Sequence, residues 1–278
     1  MADPPQTPAP TPAELGYAPR GTAWYYATLS LPPVQRDAQR ALQAWWRALR
    51  SIPLTVSDPG VAAAKLAWWQ AQLADPERAE HPLLRALRPA LRESPQAAAH
   101  LRRSVQMVDA ELRTSRWIDW GAVVHHLDSG PGEIARAGAR LAGLDDDATL
   151  AWAGELGVAL ARVGQLRDLG RDLRHGVIRL PVDLLAAHGV SARALLARED
   201  GDALRALLRD AAAQAGAALD AAAARRPSPP ARSLRPAVAM SAISRALLRE
   251  LQAQPQALLE QRIALPPLRL LWHAWRAR

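Results

Sequence analysis

From Leu31 onward the apolar residues of this chain recur at helical spacing, and that pattern alone decides its fold class. In VQRDAQRALQAWWRALRSI (34–52) they fall at 34, 38, 41/42, 45, 49 and 52, one face of a helix with ~3.6 residues per turn. Pro32 and Pro33 sit just before this run, where a missing N–H is harmless because the first turn offers it no partner. The same reading predicts helices at 61–74, 82–92, 95–113, 117–127, 132–142, 146–175, 181–187, 191–198, 200–225, 234–252, 255–263 and 266–277. Asp58-Pro59-Gly60 marks one boundary, with Asp58 as the expected N-cap of the helix at 61–74. Alternating β-branched segments are absent, and no repeat of roughly 20–50 residues is visible. The expectation is one all-α domain over 21–278. It follows a Pro-, Thr- and Ala-rich tail at 1–20 that cannot bury a core, and RRPSPPARSLRP (225–236) is an internal loop.

Composition narrows the function classes. The 278 residues include no Cys, which excludes disulfides, a thiolate nucleophile and a zinc–thiolate site. The start, MADPPQTPAPTPAE, lacks a secretory pattern, and no apolar run reaches the ~20 residues that span a bilayer. A soluble, cytoplasmic protein is expected. The net charge is +8, yet Lys65 is the single lysine among arginines and abundant alanine, a pattern of GC-rich coding. No basic block is interleaved with stacking aromatics and no nucleic-acid motif is present, so no nucleic-acid partner is expected. An acidic membrane surface or a diphosphate suits the charge better.

Two carboxylates carry the main chemical signal. Asp168 and Asp172 are one helical turn apart in Arg167-Asp168-Leu169-Gly170-Arg171-Asp172. Residues four apart share a helix face, and such a pair can hold a Mg²⁺ whose other positions are filled by water and diphosphate oxygens. The bland alternative is a solvated face on which they pair with Arg167, Arg171 and Arg174. Other signals have structural readings. Asp145-Asp146-Asp147 is placed to cap a helix start. The side chains of His125 and His126 diverge by about 100° and cannot share a metal. The pairs Trp45/Trp46 and Trp68/Trp69 suit a core as well as a prenyl pocket. The segment 268–276 is apolar on one side and basic on the other, fit for an anionic membrane surface or for docking on the bundle.

Several stretches together resemble the squalene/phytoene synthase family of head-to-head prenyltransferases. Thr22-Ala23-Trp24-Tyr25-Tyr26 followed by LSLPPVQRDA is similar to that family's Ser-Phe-Tyr-Tyr opening and its Pro-Pro-Arg helix start. DPGVAAAKLAWWQAQL (58–73) and HPLLRALRPAL (81–91) look like the bacterial hopanoid-pathway branch that makes presqualene diphosphate or squalene. RDLGRDLRHGVIRLPVDLL (167–185) resembles the second aspartate-rich motif, and LRPAVAMSAISRALLREL (234–251) and RIALPPLRLLW (262–272) the C-terminal helices. The resemblance implies an isoprenoid-synthase-like helical bundle around a central cavity. It implies prenyl diphosphate substrates and Mg²⁺ held by two facing aspartate-rich helices. Residue by residue, it implies Asp168 and Asp172 as metal ligands, and Tyr25, Arg47, Arg167 and Arg174 as diphosphate contacts.

The first aspartate-rich motif is missing. The family's Phe-Cys-Arg-x-x-Asp-Asp-x-x-Asp falls on Trp45-Trp46-Arg47-Ala48-Leu49-Arg50-Ser51-Ile52-Pro53-Leu54, so Arg50, Ser51 and Leu54 stand where aspartates are expected. Pro53 is expected to break the helix. Gly164 replaces an Asn, Arg171 an acidic residue, Arg179 a Tyr, and His126–Gly132 a Tyr-Cys-x-x-x-Ala-Gly segment. Arg50 is expected to pair with Asp168 or Asp172 in place of Mg²⁺, because buried carboxylates without a cation are costly. Two readings follow. One is a catalytically degenerate member that binds a prenyl lipid, a prenyl diphosphate or a partner protein, like the mitochondrial family member that acts in respiratory complex I assembly. The alternative is an active Mg²⁺-dependent transferase condensing two prenyl diphosphates. Both allow peripheral contact with the inner membrane.

Overall fold

The computed structural model describes residues 11, 13–227, 232–260 and 262–277. Among the described residues the regular structure is helical throughout, without strands. The order is α1 (Ala23–Thr28), α2 (Pro33–Thr55), α3 (Pro59–Ala74), α4 (Pro82–Glu93), α5 (Gln96–Glu111), α6 (Trp120–Leu127), α7 (Glu133–Leu141) and α8 (Asp147–Arg167). Then come α9 (Leu169–Arg174), α10 (Val182–Ala187), α11 (Ala192–Ala197), α12 (Asp202–Ala224), α13 (Arg235–Ala253), α14 (Ala257–Glu260) and α15 (Pro267–Arg276).

Local chemistry explains where these helices begin. Proline occupies the first position of α2, α3, α4 and α15. Carboxylates cap others: Val61 N–H donates to Asp58 at 2.9 Å, Ala122 N–H to Asp119 at 2.8 Å and Thr149 N–H to Asp146 at 2.8 Å. Within the Asp145-Asp146-Asp147 run, Asp146 is therefore the helix cap, Asp147 opens the first turn, and Asp145 pairs with Arg140.

Four elements differ from the sequence expectation. Helix α1 was not anticipated; six residues give too little periodicity to detect. Pro53 does not break α2, which runs on to Thr55. It lies in the last turn, where losing one N–H leaves only the Leu49 carbonyl without its helical partner, and the buried side chains of Leu49 and Ile52 hold that turn to the core. The helix expected at 146–175 is divided at Asp168, whose φ/ψ of −96°/4° turns the chain between α8 and α9. The helix expected at 255–263 contracts to α14. Residues 1–10 and 12 of the expected tail, and 228–231 of the expected loop, lie outside the described residues. The described part of that tail already packs: Leu15 and Tyr17 lie against the core.

The interior has two main apolar clusters. One joins α2, α3, α4, α5 and α7 through residues such as Leu42, Trp45, Leu66, Leu84, Leu101 and Ile134, with Trp45 edge-on to Trp69 at 5.9 Å. The other joins α8, α9, α12, α13 and α14 through residues such as Leu156, Leu169, Leu207, Leu219, Leu251 and Leu258. Trp45 and Trp69 are thus core residues, and Trp152 satisfies its indole N–H on the Ala222 carbonyl at 2.9 Å. Arg50 rides on the first cluster, and Asp168 and Asp172 on the second.

Gly170 sets the position of the two aspartates. A Cβ there would lie 2.6 Å from the carbonyl oxygens of both Leu258 and Leu259, so only glycine lets α9 approach α14 this closely. Gly164→Ala has open space, the nearest atom being 3.9 Å away at the end of Arg167. In urea unfolding, Gly170→Ala should lose ~1–3 kcal/mol by overpacking against backbone. Gly164→Ala should gain about 0.5–1 kcal/mol from helix propensity.

Candidate functional site

Glu111, the last residue of α5, lies at the centre of a chain of buried charges between the two cores. Arg50 Nη1 donates to its Oε2 and Arg179 Nη1 to its Oε1. Arg179 Nε in turn donates to Asp172 Oδ2 at 2.8 Å, and Arg171 Nη2 to Asp172 Oδ1 at 2.9 Å. The side chains of Glu111, Arg179 and Asp172 are 8%, 6% and 3% exposed, so these bonds replace nearly all of their hydration. Asp168 is held separately. Arg167 grips both its oxygens at 3.0 and 2.7 Å, Arg262 Nε donates to Oδ1 at 3.0 Å, and Arg171 approaches to 3.6 Å.

The local sequence accounts for this convergence. Arg50 projects from α2 one turn after Trp46, and its guanidinium stands 5.7 Å from the Trp46 ring centroid. Arg179 arrives through a helix stop. Gly176 adopts φ +74°, donates to the Leu173 carbonyl at 3.0 Å, and lets Val177 N–H reach the Asp172 carbonyl at 2.9 Å. The chain then turns back past α9 between the buried anchors Ile178 and Leu180. Val182 N–H fixes it to the Trp117 carbonyl at 2.9 Å.

The electrostatics follow from the geometry. Burial alone raises the Glu111 carboxyl, but the guanidiniums of Arg50 and Arg179 prevail and hold it down at about 2. Burial pushes His126 down to about 4; adjacent Glu111 opposes this, while Arg50 and Arg179 reinforce it. His126 therefore stands neutral at pH 7, 3.8 Å from Glu111 and 4.9 Å from the Trp117 ring. Burial also works to raise Asp168, yet Arg167, Arg171 and Arg262 keep it below its ordinary value.

Several expected residues take other places. Arg50 meets Glu111 rather than Asp168 or Asp172, because Arg179 already occupies the Asp172 face that looks toward α5. Arg167 joins the site through Asp168, whereas Arg174 is exposed and outside these ion pairs. Arg47 bonds the carbonyl of Gly16, and Tyr25 stacks edge-on with Tyr26 beneath Arg40. Ser51 donates to Ala48 of its own helix at 2.7 Å. His125 is exposed while His126 faces Glu111, the divergence expected of helix neighbours.

Sequence reasoning missed Glu111, His126 and Arg262. The available signal was charge conservation: two arginines replacing an acidic residue and a Tyr demand a buried anion between them, and Glu111 closes α5 nearby. A Mg²⁺ shared by Asp168 and Asp172 does not fit this arrangement, since guanidiniums take the oxygens of both carboxylates. Among the described residues no three His, Asp or Glu side chains are grouped to hold a metal. Two surface recesses, each of about 370 Å³, lie away from these residues: one beside Ser30, Gln35, Arg232 and Arg235, the other beside Ser51, Lys65, Trp68 and His81.

Residues 19–269 match the squalene/phytoene synthase family. A phytoene synthase of Mycobacterium bovis is 28% identical over 249 residues, covering 88% of this chain and 82% of that protein. One of Thermus thermophilus is 30% identical over 218 residues, covering 71% and 66%. Among solved structures, a dehydrosqualene synthase in complex with ligand superposes with a TM-score of 0.76 at 20% identity, covering 91% of this chain and 90% of that one. The squalene synthase HpnC from Alicyclobacillus acidocaldarius gives 0.73 at 19% identity, covering 83% and 88%. The chain belongs to the squalene/phytoene synthase family.

Proposed function

We propose that this chain is a family member in which guanidinium groups have replaced Mg²⁺, and that it binds a prenyl diphosphate or prenyl lipid without transferring the prenyl group. The observation behind this reading is the charge of the site. Five arginines (Arg50, Arg167, Arg171, Arg179 and Arg262) surround three carboxylates (Glu111, Asp168 and Asp172), with His126 neutral. Metal-assisted ionisation of a diphosphate ester needs carboxylates free to ligate the metal. A site already in positive excess repels Mg²⁺ and attracts an anion directly. Arg171 and Arg262 are 42% and 61% exposed, so they can turn outward to a diphosphate while Arg167 keeps Asp168.

A second reading is a Mg²⁺-dependent transferase joining two prenyl diphosphates, favoured by the match to phytoene synthases over most of their length. It requires Asp168 and Asp172 to exchange their arginine partners for metal. The two readings separate on incubation with farnesyl and geranylgeranyl diphosphate. The expected result is no diphosphate release with Mg²⁺, farnesyl diphosphate binding of equal strength in Mg²⁺ and in chelator, and a loss of about tenfold or more in Arg171→Gln. Mg²⁺-dependent release that disappears in Asp168→Ala overturns the proposal.

The ion pairs also set a pH response. Glu111 has a depressed pKa when folded, so it contributes on the order of 3 kcal/mol above pH ~4.5, lost as pH falls towards 2. His126 is likewise depressed, so the unfolded chain takes up its proton first, and stability falls by on the order of 3 kcal/mol between pH ~6.5 and ~4. Denaturation midpoints across pH should show both descents. His126→Gln should flatten the upper descent and Glu111→Gln the lower. At neutral pH Glu111→Gln should cost ~3–5 kcal/mol, because Arg179 is left buried without its carboxylate.

A further inference from the structure

Helix α15 shows solvent an apolar face that the bundle does not use. Leu270 and Ala274 point inward and join the second core. On the opposite side Leu268, Leu271, Trp272 and Trp275 are 80%, 40%, 48% and 59% exposed. At about 100° per residue these four fall within one arc of about 100°, a continuous stripe. They also form the main concentration of exposed large apolar side chains among the described residues; of the others, Val34, Val61, Trp68, Ile118, Val124 and Val182, no more than two share a helix.

Charge decides what this face fits. Arg269 and Arg276 edge one side of the stripe on the same wheel, and the Arg276 guanidinium lies 5.0 Å from the Trp272 ring centroid. Arg249 of neighbouring α13 is near enough that, after burial, it joins Arg269 and Arg276 in holding His273 below its ordinary pKa. One carboxylate pairs here, Glu250 with Arg269 at 2.7 Å, leaving an excess of positive charge. A short helix with tryptophan and leucine on one face and arginines along its edge matches an anionic bilayer surface. The rings enter the headgroup region and the guanidiniums stay with the phosphates.

A second copy of the chain fits poorly. Four side chains fall far short of the roughly 20–30 residues per side of a stable interface, and the flanking arginines of two copies would face each other. No described helix is long and apolar enough to cross a membrane, so the attachment is to the surface.

We propose that α15 docks this protein on anionic phospholipid through Leu268, Leu271, Trp272 and Trp275, with Arg249, Arg269 and Arg276 contacting the headgroups. This surface is distinct from the Glu111 site and stands whether or not that site is catalytic.

The test is co-sedimentation of the full chain with phosphatidylcholine vesicles containing phosphatidylglycerol, beside vesicles of phosphatidylcholine alone. Binding should require phosphatidylglycerol and weaken with salt. Trp272→Ser/Trp275→Ser should lower it at least about tenfold, with the thermal midpoint unchanged because both rings are exposed. Arg269→Gln/Arg276→Gln should remove most of the anionic preference, and Trp68→Ser on α3 should bind as the parent does. Absence of binding to either vesicle overturns the proposal. So does binding insensitive to both double substitutions, or a dimer in sedimentation velocity that Trp272→Ser/Trp275→Ser dissolves.

Discussion

Glu111 is the one carboxylate that the centre of this bundle cannot lose. It accepts from Arg50 of α2 on one oxygen and from Arg179 of the segment after α9 on the other, which ties the first core to the second through a single side chain. Isolated buried charges cost several kcal/mol each, so two guanidiniums can enter this space only if an anion is already there. The attraction between them then outweighs the burial of the carboxyl, as the depressed pKa of Glu111 records. Arg179 serves both sides, since its second face holds Asp172.

This arrangement bears on what the aspartates can do. A metal ion between facing carboxylates is a mobile cation that comes and goes with substrate. A guanidinium is tethered, and here its tether is packed: Arg179 lies between Ile178 and Leu180, which are both buried. Asp172 is therefore paired with the buried Arg179 as well as the partly exposed Arg171, whereas Asp168 is paired with arginines that reach solvent. The two residues look equivalent in the sequence and are not equivalent in the structure. Asp172 is the more deeply enclosed of the pair, 3% exposed against 13% for Asp168.

The helices were largely legible because each announces itself locally. Asp58 and Asp146 cap where their sequence context places them, and the face read from Ala38, Leu42, Trp45, Leu49 and Ile52 is the buried face of α2, although Val34 at its start, read on the same face, is exposed. What escaped depends on contacts between distant segments. Pro53 reads as a helix breaker because propensity says nothing about the core that holds its turn. The division at Asp168 is imposed by α14 closing on Gly170, a contact between residues far apart in sequence. The same limit applies to the site. Arg50 was visible as an arginine where the resemblance implies an aspartate, but its partner sits on α5, where Glu111 is an ordinary charged residue ending an amphipathic helix.

The two arginines also explain each other. Arg50 alone, set against Glu111, would leave Asp172 buried without a cation on its α5 side. Arg179 alone would satisfy one oxygen of Glu111 and one of Asp172, leaving the other Glu111 oxygen facing a His126 that burial keeps neutral. With both present, two carboxylates meet two guanidiniums across the α2, α5 and α9 boundary, and their formal charges cancel. Each replacement is unfavourable by itself and acceptable beside the other, which makes the pair a single structural unit. Because that unit is neutral, the positive excess of the site falls on Arg167, Arg171 and Arg262 around Asp168.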